Sequence, residues 1–333
     1  MRCGRPPVIG RLPGTPGVYR FRDGGGRVLY IGRTGSLRSR VGSYWSDLRE
    51  RDHLVPMVAR IARIEAVSCD SAHEAAWLER NLLETSLPPW NRTPGGRESA
   101  VFIRLDTGPL TPGLAITFRA KPADGVRYFG PYLGGLRARH AVCALNRLLP
   151  LSYTAARLGG AEHDLARVRG VTGGDPMALI GSLTAILDRQ PAAVSWATSH
   201  LERLRDRAAS ALAYEFAARV QAEIEALGWI SSPQRVTSLD AANLTISGWS
   251  AGILTQFRVR DGRLRSWSQR PCTLASAAPA LAVTPAAWTD FAQRNAELAA
   301  SLAQPPQLGA PLRLTPAQAT QNIHSGALFT GKQ

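Results

Sequence analysis

The sequence predicts an α+β protein: a small α/β unit, then a short segment of strands and one helix, then a helical hairpin. Two patterns carry this prediction. The first 91 residues interleave short β-prone runs with helical spacings of apolar residues, and residues 198–230 keep a helical spacing rich in Ala, Glu, Leu and Arg. With 333 residues, 44% of them hydrophobic, the chain is long enough for more than one packed core.

The N-terminal unit begins with a predicted β-hairpin. Val18–Arg22 and Val28–Ile31 are β-prone, and Asp23-Gly24 between them is a turn sequence that favours a hairpin. Apolar spacing predicts the elements that follow, in chain order a helix over 36–44, a helix over 54–61 and a strand over 64–69.

A longer helix closes this unit. Ser71 and Glu74 form an S-x-x-E capping box, and Pro88 and Pro89 end the helix. Glu79 follows Leu78 directly, so we expect its carboxylate at the edge of the apolar stripe and not on the far solvent face.

The remaining chain is predicted to contain shorter segments. Short helices are expected near 177–187 and 286–302, and Gly228 is expected to cap the end of the hairpin. The predicted boundaries are 10–95 for the α/β unit, 96–150 for a β/helix extension, 151–197 for a linker, 198–230 for the hairpin, 231–270 for a strand-rich segment, and 271–333 for an Ala/Pro-rich linker, a helix and a flexible tail.

The charge balance favours a polyanionic partner. Forty Lys and Arg residues against 25 Asp and Glu residues give a net charge of +15, and such an excess is typical of proteins that bind nucleic acid or an anionic membrane. An arginine-rich codon usage combined with a solvated surface would give the same composition.

Several classes of protein are disfavoured by the sequence. The four cysteines are dispersed without a C-x-x-C motif, so neither a zinc site, an iron–sulfur cluster nor a disulfide framework is expected. The N-terminus lacks the apolar core of a signal peptide, and the most apolar tract, Ala275–Trp288, is short and contains two prolines. We therefore expect a cytoplasmic protein without a membrane association.

Residues suited to phosphodiester hydrolysis occur in the first 91 positions. The reaction requires a group that activates water, a cation that stabilises the phosphate charge, and usually a carboxylate that holds a metal ion. One carboxylate suffices for Mg²⁺ when water and substrate fill its other positions. The candidates are Tyr19, Tyr30, Arg33, Arg40, Glu79 and Asn91.

The order and spacing of these residues resemble those of a GIY-YIG nuclease of the UvrC family. The resemblance rests on "GVY" at Gly17–Tyr19, "YIG" at Tyr30–Gly32, and the later stretches "RTGSLRSRVGSYW", "EAAWLERNLLE" and "PPWN". Further on, "YFGPY", "LERLRDRAASALAYEFAARVQAEIEAL" and "GILTQFRVRDGRL" are similar to the UvrC segments after the nuclease domain, including its UVR helical hairpin. The resemblance covers roughly 10–150 and 198–267.

This resemblance implies a three-stranded antiparallel sheet flanked by helices, and it implies a role for each site residue. Tyr30 would help activate water beside Tyr19, Arg40 would stabilise the phosphate oxyanion, and Glu79 would be the carboxylate on a divalent metal, Mg²⁺ or Mn²⁺. The remaining implied roles are bracing of the site by Asn91, support of Arg40 by Tyr44, close backbone approach at Gly32, and substrate contacts by Arg33 and Arg38. Arg33 stands where a lysine is common, and it keeps the charge but not the geometry.

The resemblance also implies partners, and two departures qualify it. The implied partners are damaged double-stranded DNA and UvrB, the latter bound through the 198–230 hairpin. The four-cysteine cluster of UvrC has no counterpart here, and neither does its second nuclease, so a short, Cho-type homologue with one incision is the expectation.

Three alternatives stay open. The chain is either this nuclease, a non-catalytic adaptor for DNA and UvrB, or a nuclease that acts on branched DNA without UvrB. The apolar positions of the hairpin are equally consistent with packing inside the chain.

Overall fold

Three antiparallel sheets of three strands each organise the part of the chain that the structure describes. The structure is a computed structural model, and it describes residues 6–46, 53–92, 99–170 and 175–303. The strand orders are β2-β1-β3, β5-β4-β6 and β7-β8-β9. The strands are β1 (Gly17–Arg22), β2 (Val28–Thr34), β3 (Arg63–Ser68), β4 (Ala100–Asp106), β5 (Gly113–Thr117), β6 (Val126–Leu133), β7 (Leu244–Ser250), β8 (Ile253–Arg260) and β9 (Arg263–Pro271).

Ten α-helices accompany the sheets in the described ranges. They are α1 (Leu37–Gly42), α2 (Val55–Val58), α3 (Ala72–Thr85), α4 (Gly135–Leu148), α5 (Gly160–Val168), α6 (Pro176–Leu187), α7 (Pro191–Ser210), α8 (Tyr214–Ser231), α9 (Leu274–Ala282) and α10 (Ala286–Ala303). None of these helices has the length and hydropathy required to cross a bilayer.

The first sheet has two different faces, and β1 contributes to both. Tyr19 and Phe21 of β1 are buried on one face, together with residues of α1. Val18 is buried on the other face, which α3 covers. This alternation follows from the two-residue period of a strand. The predicted turn at Asp23-Gly24 joins β1 to β2, because Gly26 donates its N–H to the Asp23 carbonyl.

The predicted cap of α3 is present with an altered partner. Ser71 Oγ accepts the Glu74 N–H at 3.0 Å, as a capping box requires. Glu74 Oε2 accepts the N–H of Asp70, and Glu74 Oε1 accepts the N–H of Arg235 at 2.9 Å. The cap therefore also fixes a residue 161 positions away.

Residues 151–197, predicted to be a linker, differ from that expectation. They contain α5, α6 and the start of α7, and Leu183, Ile186 and Leu187 are buried in one core with α4, α8 and the second sheet. The apolar spacing within 177–187 predicts a short helix, but the sequence does not indicate the core against which this helix packs. Each apolar side chain buried there contributes roughly 1.5–3 kcal/mol, which favours packing over an extended linker.

The helical hairpin and the C-terminal segment also differ in their bounds. The hairpin starts at Pro191 and turns at 211–213, and Gly228 lies inside α8, not after it. In the segment predicted as a loose linker, α9 spans Leu274–Ala282 and tolerates Pro279 in its interior, with Thr273 Oγ1 accepting the Ser276 N–H at its start. The predicted tail after residue 303 lies outside the described residues.

The C-terminal helix α10 belongs to the same packed unit as the first sheet. Asn295 Oδ1 accepts the N–H of Ser68 at 2.7 Å, and Asn295 Nδ2 donates to the Ser68 carbonyl at 3.1 Å. Leu298 is buried in the core that contains Tyr19. A helix residue 227 positions downstream of Ser68 thus seals the β3 edge of the sheet.

His73 connects α3 to the second sheet and to the hairpin. Its ring lies 4.5 Å from Trp229 of α8 and 5.8 Å from Tyr132 of β6, measured between centroids. The Leu133 N–H donates to His73 Nε2 at 3.2 Å, so this nitrogen is the unprotonated one. Burial, with a further contribution from arginines, lowers the pKa of His73 to about 3.

Replacing His73 should change how stability depends on acid. The pKa of a histidine is 6.5 in the unfolded chain and about 3 here, so the unfolded chain binds the extra proton as pH falls below 6.5. The free energy of unfolding should therefore decrease towards pH 3, by at most about 1.4 kcal/mol per pH unit from this group. His73→Gln keeps an acceptor for Leu133 and should show a shallower decrease in urea unfolding series. His163→Gln, at an exposed position, is the control, and an identical slope for His73→Gln and wild type would contradict this role.

Candidate active site

The outer edge of β2 organises the candidate site. In a sheet ordered β2-β1-β3, this edge has no neighbouring strand. The backbone groups along this edge find partners one after another. The Leu29 carbonyl accepts a hydrogen bond from the Trp90 N–H at 3.2 Å. The Ile31 N–H donates to Asn91 Oδ1 at 2.9 Å, and Asn91 Nδ2 donates to the Ile31 carbonyl at 2.8 Å. The next group, Arg33 N–H, donates to Glu79 Oε1 at 3.1 Å. Two predicted site residues thus cap the strand that carries "YIG".

Three tyrosines meet on the opposite side of this strand pair. The hydroxyls of Tyr19 and Tyr44 are hydrogen-bonded at 2.8 Å, and both side chains are 1% exposed. The Tyr30 ring lies 6.2 Å from Tyr19 and 6.3 Å from Tyr44, measured between centroids. Tyr30 is partly exposed, so its ring forms the boundary between this cluster and solvent.

Burial keeps these phenols protonated. It raises the pKa of Tyr19 well above 10 and also raises that of Tyr30, and the neighbouring Tyr44 adds to both effects. The negative charge of Glu79 also raises the pKa of Tyr30. Neutral hydroxyls can both donate and accept, so Tyr30 can orient a water molecule without first losing its proton.

Gly32 is required by the tyrosines themselves. Gly32 pairs with Tyr19 across the strands. A Cβ at this position would lie 2.5 Å from Tyr19 Oη and 2.7 Å from Tyr30 Cε1. The sequence suggested a close approach of backbone to phosphate, and the structure gives a second reason, because only a residue without a side chain leaves both rings in place.

Glu79 is held at both carboxylate oxygens by Arg33. In addition to the backbone contact at Oε1, Arg33 Nε lies 3.0 Å from Oε2, and the Glu79 side chain is 22% exposed. Burial raises the pKa of Glu79, and the Arg33 charge and hydrogen bonds oppose that shift. The Arg33 guanidinium therefore acts as a counter-ion for the candidate metal ligand.

The two arginines of α1 have different environments. Arg40 is exposed, its guanidinium lies 5.9 Å from the Tyr44 ring centroid, and it interacts electrostatically with Tyr19. Arg38 Nε instead donates to the Leu12 carbonyl at 2.7 Å, so this side chain fixes the segment before β1. Six of the predicted site residues thus gather at one end of the sheet: Tyr19, Tyr30, Arg33, Arg40, Tyr44 and Glu79. Asn91 caps the β2 edge through Ile31. The guanidinium of Arg38, in contrast, is bonded to the Leu12 carbonyl.

The donor set fits a hard divalent cation. Nowhere in the described ranges do three or more His, Cys, Asp or Glu side chains gather into a metal-binding group. Glu79 is partly exposed beside neutral hydroxyls, which suits an ion such as Mg²⁺ that retains most of its water and takes one or two carboxylates.

The site contains residues that the sequence did not single out. Phe21 packs 5.0 Å from Tyr44 and 5.2 Å from Tyr19 between ring centroids, and it fills the space beneath the hydroxyl pair. Phe21 lies two positions after Tyr19 on β1, and this spacing predicts that both side chains project to the same face. Trp90 acts through its backbone N–H, for which the sequence offers no signal.

A family model described as a UvrC-like GIY-YIG domain matches residues 15–92. Residues 15–92 belong to the GIY-YIG family as a UvrC-like domain. The chain therefore carries an endonuclease domain, with "GVY" on β1 and "YIG" on β2.

The GIY-YIG domain and the residues after it are related to UvrC proteins. The UvrABC system protein C of Geobacter metallireducens is 37% identical over 146 residues, which cover 44% of this chain and 24% of that protein. The corresponding protein of Desulforudis audaxviator is 30% identical over 271 residues, or 77% of this chain and 43% of that protein. The chain spans less than half the length of these two relatives.

Solved structures resemble the GIY-YIG domain as well. The N-terminal endonuclease domain of UvrC from Thermotoga maritima, bound to magnesium as its catalytic divalent cation, is 28% identical. That match covers 25% of this chain and 91% of the other, with a TM-score of 0.24.

Gly32→Ala should disrupt the tyrosine pair. The added methyl group overlaps Tyr19 Oη and Tyr30, so we expect a loss of roughly 1–3 kcal/mol in unfolding free energy and a broken hydroxyl contact. Gly35→Ala is the matched control, because nothing lies within 4 Å of its Cβ. Urea unfolding measures the first effect, and equal stability of the two variants would show that the tyrosines are not held as described.

Proposed function

We propose that the protein is a metal-dependent, structure-specific DNA endonuclease that makes a single incision during nucleotide excision repair. The observation that carries this proposal is the meeting of the tyrosine cluster, Arg40 and a partly exposed Glu79 at one end of the first sheet. The relationship to UvrC proteins along 77% of the chain supports the pathway. Damaged duplex DNA is the proposed substrate, since the net charge of +15 favours a polyanion.

Each site residue has a proposed role in hydrolysis. Tyr30 orients the attacking water at the edge of the cluster, while Tyr44 holds the hydroxyl of Tyr19 in the same site. Arg40 stabilises the negative charge that develops on the phosphate oxygens. Asn91 and Gly32 keep β2 and the rings in register, and Arg33 adds positive charge beside Glu79. Arg38 is proposed to contact the substrate as well, from a guanidinium whose Nε is held by the Leu12 carbonyl.

Glu79 is the proposed ligand of a divalent metal ion, Mg²⁺ or Mn²⁺. The ion would stabilise charge at the scissile phosphate. Its Oε1 is fixed by the Arg33 backbone, whereas its Oε2 contacts Nε of the Arg33 side chain, which is 47% exposed. Oε2 is therefore the oxygen that can exchange one cationic partner for another.

Glu79→Gln should abolish incision but preserve DNA binding. The amide keeps the size and the hydrogen bond to Arg33 N–H and removes the charge, so nicking should fall by roughly a hundredfold or more. An end-labelled lesion duplex with UvrA and UvrB supplied, assayed with and without Mg²⁺, measures incision, and fluorescence anisotropy measures binding. Glu297→Gln, the same change at an exposed position on α10, is the control.

The outcomes of this assay separate the alternatives. Undiminished nicking by Glu79→Gln would contradict the proposed site. A wild-type protein that binds DNA and UvrB but never cuts with any divalent metal would identify an adaptor. Cutting of branched DNA that needs no UvrB would identify a nuclease of another pathway.

The helical hairpin is the proposed contact for UvrB. Most of its apolar residues pack inside the chain, and Glu223 of α8 forms two hydrogen bonds with Arg147 of α4 at 2.8 and 2.7 Å. At its tip, however, Leu212 is 70% and Tyr214 is 65% exposed. These two side chains are available to a partner without disturbing the packed base of the hairpin.

Substitution at the tip should weaken UvrB binding. Leu212 has a φ of 58°, which asparagine tolerates, so Leu212→Asn combined with Tyr214→Ala removes the apolar groups without backbone strain. Affinity for immobilised UvrB should fall roughly tenfold, while DNA affinity measured without UvrB by fluorescence anisotropy should stay constant. Leu110→Asn, at a position 67% exposed, is the control. Unchanged affinity of the double variant would leave the hairpin with only its intramolecular role.

A further inference from the structure

The third sheet carries an unusual concentration of arginine. Five arginines and one acidic residue, Asp261, occur within 258–270, which covers the end of β8, its turn and β9. Arg263 and Arg265 lie 3.1 and 2.7 Å from Glu84 of α3. Arg258 and Arg260 are exposed, and neither forms an ion pair with any described residue.

Arg258 stands in a row of hydrogen-bond donors across the sheet. Its cross-strand partners are Thr245 on β7 and Ser266 on β9. Directly opposed residues project to the same face, about 4.8 Å apart, so the row is roughly 10 Å wide. Arg260 lies two positions further along β8 on this face. The opposite face is buried through Phe257, Val259 and Trp267.

The composition of this outer face points to a phosphate backbone as its occupant. Around Arg258 its residues are hydroxyls, amides and guanidinium groups, and no large exposed hydrophobic residue is found on β7, β8 or β9. Leu254 and its partner Trp249 lie at the far end of the face, and neither is exposed. The buried centre of a protein interface is usually more apolar than the surroundings of Arg258. Arginine, serine and threonine are, in contrast, the donors that commonly bind phosphate oxygens.

The face is rigidly attached to the catalytic sheet. Trp267 of β9 stacks under the guanidinium of Arg20 of β1, with 3.8 Å between Arg20 Cζ and the ring centroid. Arg20 follows Tyr19 in the chain, and Arg20 is itself paired with the buried Glu65 of β3. A ligand on the third sheet would thus be held at a fixed position relative to the tyrosine cluster.

We propose that the outer face of the β7-β8-β9 sheet, centred on Arg258 and Arg260, binds the phosphate backbone of duplex DNA outside the nuclease cleft. This proposal rests on the DNA endonuclease function proposed above and adds a second contact surface for its substrate. It assigns the face a share of affinity and no sequence preference, because no base-reading geometry is involved.

The salt dependence of DNA binding tests this surface. Full-length Glu79→Gln protein, with and without Arg258→Gln and Arg260→Gln, is titrated into a fluorescent duplex at several NaCl concentrations. Each lost phosphate contact should reduce the slope of log K against log salt by about 0.9, so the double variant should lose about 2 from the slope. Its Kd at low salt should rise roughly fivefold or more. Since neither side chain is buried or ion-paired with a described residue, the thermal unfolding midpoint should stay constant.

Matched controls decide the outcome. Arg139→Gln and Arg167→Gln remove the same charge from exposed positions on α4 and α5. A slope unchanged in the Arg258/Arg260 variant, or reduced no more than in this control, would overturn the proposal. A variant with normal DNA binding but weaker UvrB binding would overturn it too, by assigning the face to a protein. The same arginine variants, made in protein that retains Glu79, are also assayed for nicking. This assay tests the endonuclease function separately, so a failure of the proposed DNA-binding surface can be distinguished from a failure of the proposed function.

Discussion

The hydrogen-bonding demand of the β2 edge is the constraint on which the nuclease site depends. An edge strand presents unpaired N–H and C=O groups, and leaving them buried without partners costs about 1–3 kcal/mol each. Trp90, Asn91 and Glu79 supply the partners in succession along Leu29, Ile31 and Arg33. Because two of these residues are also site residues, forming the strand edge and placing the site are one structural event.

The opposite edge of the same sheet is sealed by the same chemistry. Asn91 bonds both backbone groups of Ile31 on β2, and Asn295 bonds both backbone groups of Ser68 on β3. An amide side chain reproduces the donor and acceptor of a peptide group, so each asparagine replaces a missing strand at one position. The consequence differs between the edges: Asn91 is local to the domain, while Asn295 makes α10 part of the environment of the catalytic sheet.

The sequence predicts the features that depend on neighbouring residues, such as turns and helix caps. It does not predict contacts between residues far apart in the chain. The hairpin at Asp23-Gly24, the cap at Ser71 and the order of Tyr19, Tyr30, Arg40 and Glu79 follow from short-range patterns and from resemblance to a family. Asn295 looks like any helix residue, because its partner is 227 positions away. The sequence predicts a linker over 151–197 because the short apolar runs in this segment are buried only against α4 and α8. No local pattern indicates that packing. The resemblance implies that Gly32 allows close approach of a phosphate. Its second role, leaving space for the Tyr19 ring, depends on the pairing of β1 with β2 in the folded chain.

The two roles of Glu79, as the cap on β2 and as the proposed metal ligand, explain why an arginine beside it is useful. A carboxylate that caps a strand is partly buried, and burial raises its pKa and favours the neutral form. A metal ligand must be ionised, so the two uses conflict unless a cation restores the charge. Arg33 opposes the rise in the pKa of Glu79 from within the strand, with its backbone N–H on Oε1 and its side chain on Oε2. The backbone contact cannot leave without opening the β2 edge, whereas the side chain can rotate away. The carboxylate can therefore stay anchored through Oε1 while Oε2 is available to the proposed metal ion.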